Sequence, residues 1–331
     1  MNYSLPLGAI KTARRRIEPY LRRTPLVPLP MRHPDLPPQL QLKLENLQVS
    51  GSFKSRGAFN TLLQLDQRQR ERGIIAASAG NHGVGVAYAA WRLDVPAIVY
   101  LPINASSDRV ARIAAWGVQV IQYGLTWDDA HIAAQAHAAA ESKVYVHPFD
   151  AVATVEGQGT LGLELLDDMP QLDCVLLAIG GGGLISGVAA AIKQCRPHVR
   201  IIGVEPTGAA SMHSSVAAGR LVNLPEIHTI ADTLATRSVG ERTLALTQCY
   251  VDEIVLVDDV WMVAGMRWLW AEYNQLVEPA GATALAAVLS GAVAVDAYAQ
   301  PIALICGGNA AAESVFVTYE QAAMEMATGV Q

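Results

Sequence analysis

GIIAASAGNHGVGVAYAAWRLDVPAIVYL, residues 73–101, holds two short apolar runs, 73–77 and 97–101, separated by the loop SAGNHG (78–83) and an Ala- and Val-rich segment, 84–93. The runs are short and β-branched, as buried strands are, and the segment between them has the length of a helix of about three turns. Strand, helix and strand in this order make a βαβ unit, whose strands lie parallel. The alternation continues with a helix expected over 107–116, a strand over 119–122, an Ala-rich helix over 126–141 and a strand over 144–147. Helices on both faces of a parallel sheet follow, and residues 70–149 are expected to form a small α/β domain.

On either side lies a second α/β unit. Upstream, 9–23 has a helical pattern that stops before Thr24-Pro25, and Pro25, Pro28, Pro30, Pro34, Pro37 and Pro38 mark an irregular connection. QLKLEN (41–46) alternates as a half-buried strand and leads to SGSFKSRGAFN (50–60), with a helix expected over 55–72. Downstream come the helix of GQGTLGLELL (157–166), the strand, glycines and helix of VLLAIGGGGLISGVAAAI (175–192), and a strand at 199–204. VDEIVLVDD (251–259) and WMVAGMRWLWAEY (261–273) supply a strand and a helix, and EPAGATALAAVLSG (278–291) and PIALICGGN (301–309) close the pattern. Residues 1–69 and 150–331 are expected to form the larger domain, completed by the N-terminal strand.

The 331 residues are 51% hydrophobic, which suits a soluble globular enzyme of two lobes. A net charge of −6 and the absence of a long basic run argue against nucleic acid as a partner, and Arg14–Arg16 read as a solvated helix face. Cys174, Cys195, Cys249 and Cys306 follow no metal or redox spacing, and the N-terminus lacks the order of a secretory signal, so a cytoplasmic protein with reduced thiols is expected. The uncharged run between Asp173 and Lys193 contains four consecutive glycines and reads as buried core rather than a membrane span. No regulatory domain is expected up to Gln331.

Four stretches carry chemistry. Lys54 stands at the start of an expected helix, where desolvation and the positive helix end favour the neutral, nucleophilic amine. Gly180–Gly183 join a strand to a helix and expose backbone N–H groups to an anion, most often phosphate. Ser78–Gly83 form a second strand-to-helix turn able to hold a carboxylate, and Cys306 ends an apolar strand where parallel sheets place ligands. Gly181, Gly183 and Gly187, with Glu205 ending the next strand, also approximate a dinucleotide fingerprint, so a nucleotide-dependent oxidoreductase is the alternative from another class.

In this order, SGSFKSRGAFN, SAGNHG, GQGT, GGGGLISG, VEP, EPAGA and CGGN resemble the fold-type II pyridoxal phosphate enzymes of the threonine dehydratase and serine racemase group, over residues 23–309. The resemblance implies a two-lobe, three-layer α/β architecture with parallel sheets, like the tryptophan synthase β chain, with pyridoxal 5'-phosphate in the larger domain. It implies that Lys54 forms a Schiff base and moves protons, that Phe53 packs on the cofactor ring, and that Asn81 bonds the ring hydroxyl. Gly180, Gly181, Gly182 and Gly183 with Leu184 would cradle the phosphate, and Cys306 would face the pyridine nitrogen. Ser78, Asn81, His82 and Gly83 would bind the carboxylate of an amino acid substrate, and a homodimer or homotetramer is implied.

The activity so implied is β-elimination of L-threonine or L-serine to a 2-oxo acid and ammonia, with a serine racemase or a dehydratase of a hydroxyaspartate- or hydroxyectoine-derived substrate as alternatives. Three positions depart from the group's pattern. Ala79 stands where racemases carry a proton-transferring serine, Ser211 replaces an aspartate of a cation site that would also use Glu205 and Ala209, and Thr233 replaces a glycine near the substrate. No metal is expected.

Overall fold

A computed structural model of the chain describes residues 3–29 and 36–309; the proline-rich connection at Pro30 and Pro34 and the segment 310–331 lie outside it. Helix α1 (Leu7–Ile17) buries Ile10, Ala13 and Ile17 and leaves its arginines outward, Arg14 pairing with Asp167 at 2.6 Å. It ends before residue 23, tightening into a 3₁₀ turn over Glu18–Tyr20, where Pro19 has no N–H to continue the α-helical ladder. After β1 (Leu26–Pro28) and β2 (Gln41–Leu44), the helix expected over 55–72 is two, α2 (Lys54–Leu62) and α3 (Gln67–Arg72). Asp66 accounts for the break: its side chain accepts the Gln69 N–H while the Gln69 side chain accepts the Asp66 N–H, a capping box that restarts the helix.

The βαβ unit forms as β3 (Ile74–Ala77), α4 (Asn81–Leu93) and β4 (Ala97–Leu101), and α5 (Ser107–Ala114), β5 (Gln119–Gln122), α6 (Trp127–Ala140) and β6 (Val144–Tyr145) extend it. The four strands are parallel in the order β5-β4-β3-β6. Both faces are covered, and β3 shows how. Ile74 and Ala76 pack with Val86 and Ala90 of α4 and with Phe59 and Leu62 of α2, whereas Ile75 and Ala77 pack with Ala130, Ala134 and Ala138 of α6.

The second sheet takes β7 (Cys174–Ala178), β8 (Arg200–Pro206), β9 (Glu253–Val257) and β10 (Pro301–Ile305), alternating with α7 (Val152–Asp168), α8 (Gly183–Cys195), α9 (Ser211–Ala218), α10 (Glu241–Tyr250), α11 (Asp259–Tyr273) and α12 (Pro279–Leu289). Its order is β1-β2-β10-β7-β8-β9, parallel throughout except for β1 against β2. The N-terminal strands therefore complete this sheet, with β10 between β2 and β7. The uncharged run from Asp173 to Lys193 is β7 and α8, both buried. No helix of the described residues is long and apolar enough to cross a membrane.

Helix α2 joins the two units. Its Asn60 Nδ2 donates to Ala153 O of α7 at 2.7 Å, and its Arg56 enters a buried ionic network. Arg56 Nε and Nη2 donate to the two carboxylate oxygens of Glu45 at 2.8 and 2.6 Å, and Nη2 also reaches Glu164 at 2.9 Å. Lys43, fully buried on β2, donates to Glu164 at 2.6 Å, Asp168 at 2.7 Å and the Thr24 carbonyl at 2.7 Å.

Candidate active site

The chain reaches α2 through a sharp turn, Ser50 (φ 62°) and Gly51 (φ 75°), and then lies against the end of β10. Ser52 pairs with Gly307, Phe53 N donates to Cys306 O at 3.2 Å, and Gly308 N donates to Gly51 O at 2.9 Å. Phe53, Lys54 and Cys306 are thereby brought to one wall of a cavity of about 250 Å³. Lys54 Nζ donates to Pro148 O at 2.9 Å and lies 5.2 Å from the Phe53 ring centroid. Burial lowers the Lys54 amine to about 8, against the opposing pull of Cys306 and Glu278. A usable fraction is therefore neutral near physiological pH. Cofactor loading at fixed concentration, followed by absorbance, should accelerate about tenfold per pH unit up to roughly pH 8 and level off above it. A loading rate that ignores pH across this range would contradict a poised amine.

Cys306 donates to Ala280 O at 3.3 Å, and burial raises its thiol far above the ordinary range. It presents a neutral group at the end of β10. Across the cavity, β7 turns into α8 through Gly180–Gly183, of which Gly181, Gly182 and Gly183 leave no room for a side chain. A Cβ at Gly181 would lie 2.2 Å from the Phe149 ring, and one at Gly182, whose φ is +88°, would lie 2.4 Å from Met212. Thr243 Oγ1 fastens the turn by donating to Gly181 O at 2.8 Å. Among the described residues no acceptor meets the N–H groups of 180–185. Successive unpaired amides at the start of a 13-residue helix make a turn able to hold a phosphate.

A second set of free amides lies at the start of α4, which begins at Asn81 rather than at Val84, so the turn expected to be loop is partly helix. The N–H groups of Asn81, His82 and Gly83 have no acceptor among the described residues. Ser78 Oγ accepts from Gly80 N at 3.1 Å. His82 Nε2 donates to Val146 O at 2.9 Å, and burial, then the Lys54 charge, lowers its ring to about 3. The imidazole is therefore neutral with Nδ1 unprotonated, and what His82 offers a carboxylate is its main-chain N–H. Ser78, Asn81, His82 and Leu184 line the cavity; Gly83 lies behind it, where a Cβ would stand 2.2 Å from Ser78 O.

Sequence reasoning missed several residues of the wall: Pro148 and Phe149 before α7, Trp127 on α6, Arg109 on α5, Asp232 and Glu278. Arg109 and Asp232 form an ion pair across the mouth, tying α5 to the segment that carries Thr233, also in the wall. Glu278 was legible only as part of EPAGA. It is 4% exposed, accepts a hydrogen bond from Asn81 Nδ2, and is raised to about 7, chiefly by burial.

Glu205 resolves differently from the nucleotide reading. Its fully buried carboxylate accepts from Met212 N at 2.8 Å and His213 N at 2.7 Å, capping α9, and so is not available to a ribose. Among the described residues no group of three or more His, Cys, Asp or Glu side chains converges as metal ligands.

A free amide cradle, a partly desolvated lysine and a neutral strand-end thiol around one cavity fit a cofactor with a phosphate, an aldehyde and a pyridine ring. Comparison with known proteins agrees. The L-threonine ammonia-lyase of Geobacter sulfurreducens is 38% identical over 317 residues, covering 96% of this chain and 79% of that protein. The phenylserine dehydratase of Ralstonia pickettii is 41% identical over 305 residues, 92% of this chain and 93% of that one. The structure of maize serine racemase superposes with a TM-score of 0.93 at 33% identity, covering 98% of this chain and 99% of the other. The model of the pyridoxal-phosphate dependent enzymes matches residues 17–307, and the chain belongs to that family, with pyridoxal phosphate as its cofactor and the fold-type II architecture of its solved relatives.

Proposed function

We propose that the protein is an ammonia-lyase that removes the β-hydroxyl and then the amino group of L-threonine or L-serine, giving a 2-oxo acid and ammonia. One observation carries the choice of elimination over racemisation. Among the described residues of the cavity wall Lys54 is the only lysine, and the turn facing the ligand presents the methyl group of Ala79. Inverting an α-carbon requires a proton to leave one face and return on the other, and alanine cannot transfer one.

Bound pyridoxal phosphate supplies an electron sink conjugated to the substrate α-carbon. Gly180–Gly183 and Leu184 would hold its phosphate, Phe53 its ring, Asn81 its ring oxygen, and Cys306 its nitrogen, where a neutral thiol leaves the sink restrained. The amides at the start of α4 take the substrate carboxylate. With the cofactor bound, Lys54 would accept the substrate α-proton and return it to the β-hydroxyl, which leaves as water, and hydrolysis of the resulting enamine gives the 2-oxo acid and ammonia. The names of relatives that are ammonia-lyases and dehydratases support this reading.

The test is release of 2-oxo acid from L-threonine and L-serine by the loaded protein. Pyruvate from L-serine should exceed D-serine by at least about tenfold, the order of effect expected from a missing proton-transfer group. D-serine forming faster than pyruvate would replace the proposal with a racemase.

A further inference from the structure

A chain of hydrogen bonds crosses the site in one direction. Arg112 Nη1 donates to Asn309 Oδ1 at 3.2 Å, Asn309 Nδ2 donates to Asn81 Oδ1 at 2.6 Å, and Asn81 Nδ2 donates to Glu278 Oε1. A guanidinium only donates and a carboxylate only accepts, so the direction is set at both ends. The middle is fixed as well. Asn309 Nδ2 also donates to Ser50 O at 2.9 Å, and a carbonyl would not meet the opposite end of that amide.

The consequence falls on Asn81. Its Oδ1 is turned to Asn309 and its Nδ2 to Glu278, which leaves the second Nδ2 hydrogen as a free donor on a residue that lines the cavity. Asn81 and Glu278 are each 4% exposed, where a hydrogen bond to an ionised group is stronger than in water. Both groups pack closely against Gly307, where an added Cβ would lie 2.4 Å from Glu278 Oε1 and 3.0 Å from Asn81 Nδ2. Burial raises the Glu278 acid to about 7, with the Asn81 hydrogen bond, Arg109 and Lys54 lowering it and Asp232 raising it, so pH 8 favours the carboxylate.

We propose that Glu278, with Arg112 acting through Asn309, is a positioning residue that locks Asn81 as a hydrogen-bond donor toward the cofactor, so that the cofactor's ring oxygen is held as an anion. The proposal rests on the cofactor assignment above and is independent of whether the reaction is elimination or racemisation. A reversed Asn81 amide would present a carbonyl and favour the protonated ring oxygen. The two forms are distinguishable, since the charge-separated form of the lysine-bound cofactor absorbs at longer wavelength than the neutral one.

The experiment is a double-mutant cycle on the loaded protein at pH 8, reading the ratio of the long- to the short-wavelength band and the cofactor dissociation constant by fluorescence. Glu278→Gln keeps the shape but offers either end of an amide. It should lower the band ratio at least about threefold and weaken cofactor binding by up to about tenfold, as expected for a bond to a charged group. In an Asn81→Ala background the same substitution should change neither. An unchanged ratio in the single variant, or the same change with and without Asn81, would overturn the proposal. A wild-type chain that shows neither band would overturn the cofactor assignment, and the proposal with it.

Discussion

Lys54→Ala should abolish the proposed 2-oxo acid release from L-threonine and L-serine, with turnover lower by about 10⁴-fold or more and no lysine-bound cofactor absorbance. The expectation is strong because no neighbour substitutes for the amine: Lys54 is the one lysine among the described residues of the wall, and His82 has its Nε2 hydrogen bonded to Val146. The phosphate cradle and Asn81 are untouched, so the variant should still bind the cofactor, reversibly. Thermal unfolding separates this from misfolding, since removing one amine that bonds a single carbonyl, Pro148 O, should shift stability by no more than about 1 kcal/mol. A folded variant with wild-type turnover would remove Lys54 from the chemistry.

The second large effect is on stability. Arg56→Met should cost about 3–5 kcal/mol, because it leaves the carboxylates of Glu45, fully buried, and Glu164 without their guanidinium partner. Denaturant unfolding measures it. The double variant Arg56→Met/Glu45→Gln should recover much of the loss, since the penalty is that of an unpaired buried charge rather than of a missing contact. A loss below about 1 kcal/mol in the single variant would mean that water reaches the network. Arg56 lies two residues from Lys54 on the first turn of α2, so the same pairing holds the helix of Lys54 against the turn that follows β2 and against α7.

What the sequence made legible was local. The βαβ alternation, the glycines between β7 and α8, and Lys54 ahead of an apolar helix each show themselves within about twenty residues, because backbone geometry and helix ends are set by neighbours. Helix limits were less legible: Pro19 and Asp66 carried the information, but a continuous apolar period on both sides concealed the breaks. Arg109, Asp232 and Phe149 were illegible, and Glu278 legible only within EPAGA, for another reason. Each enters the site from a different element, and their convergence depends on a strand order that places β10 beside β2 and β7. Glu205 misled because a carboxylate at a strand end looks the same whether it binds a ribose or caps the next helix, here α9.

The position of β10 has a consequence for biosynthesis. It is the last described strand along the chain, yet it lies between β2 and β7, both of which leave the ribosome long before it. Until then the nascent protein carries two open sheet edges, a state prone to mispairing and in need of shielding. Phe53 N waits for the Cys306 carbonyl, and the wall that holds Lys54 beside the thiol does not exist. Capture of the cofactor therefore waits for β10: a stalled chain that stops short of Cys306 has its glycine turn and its lysine but no site in which the two can meet one ligand.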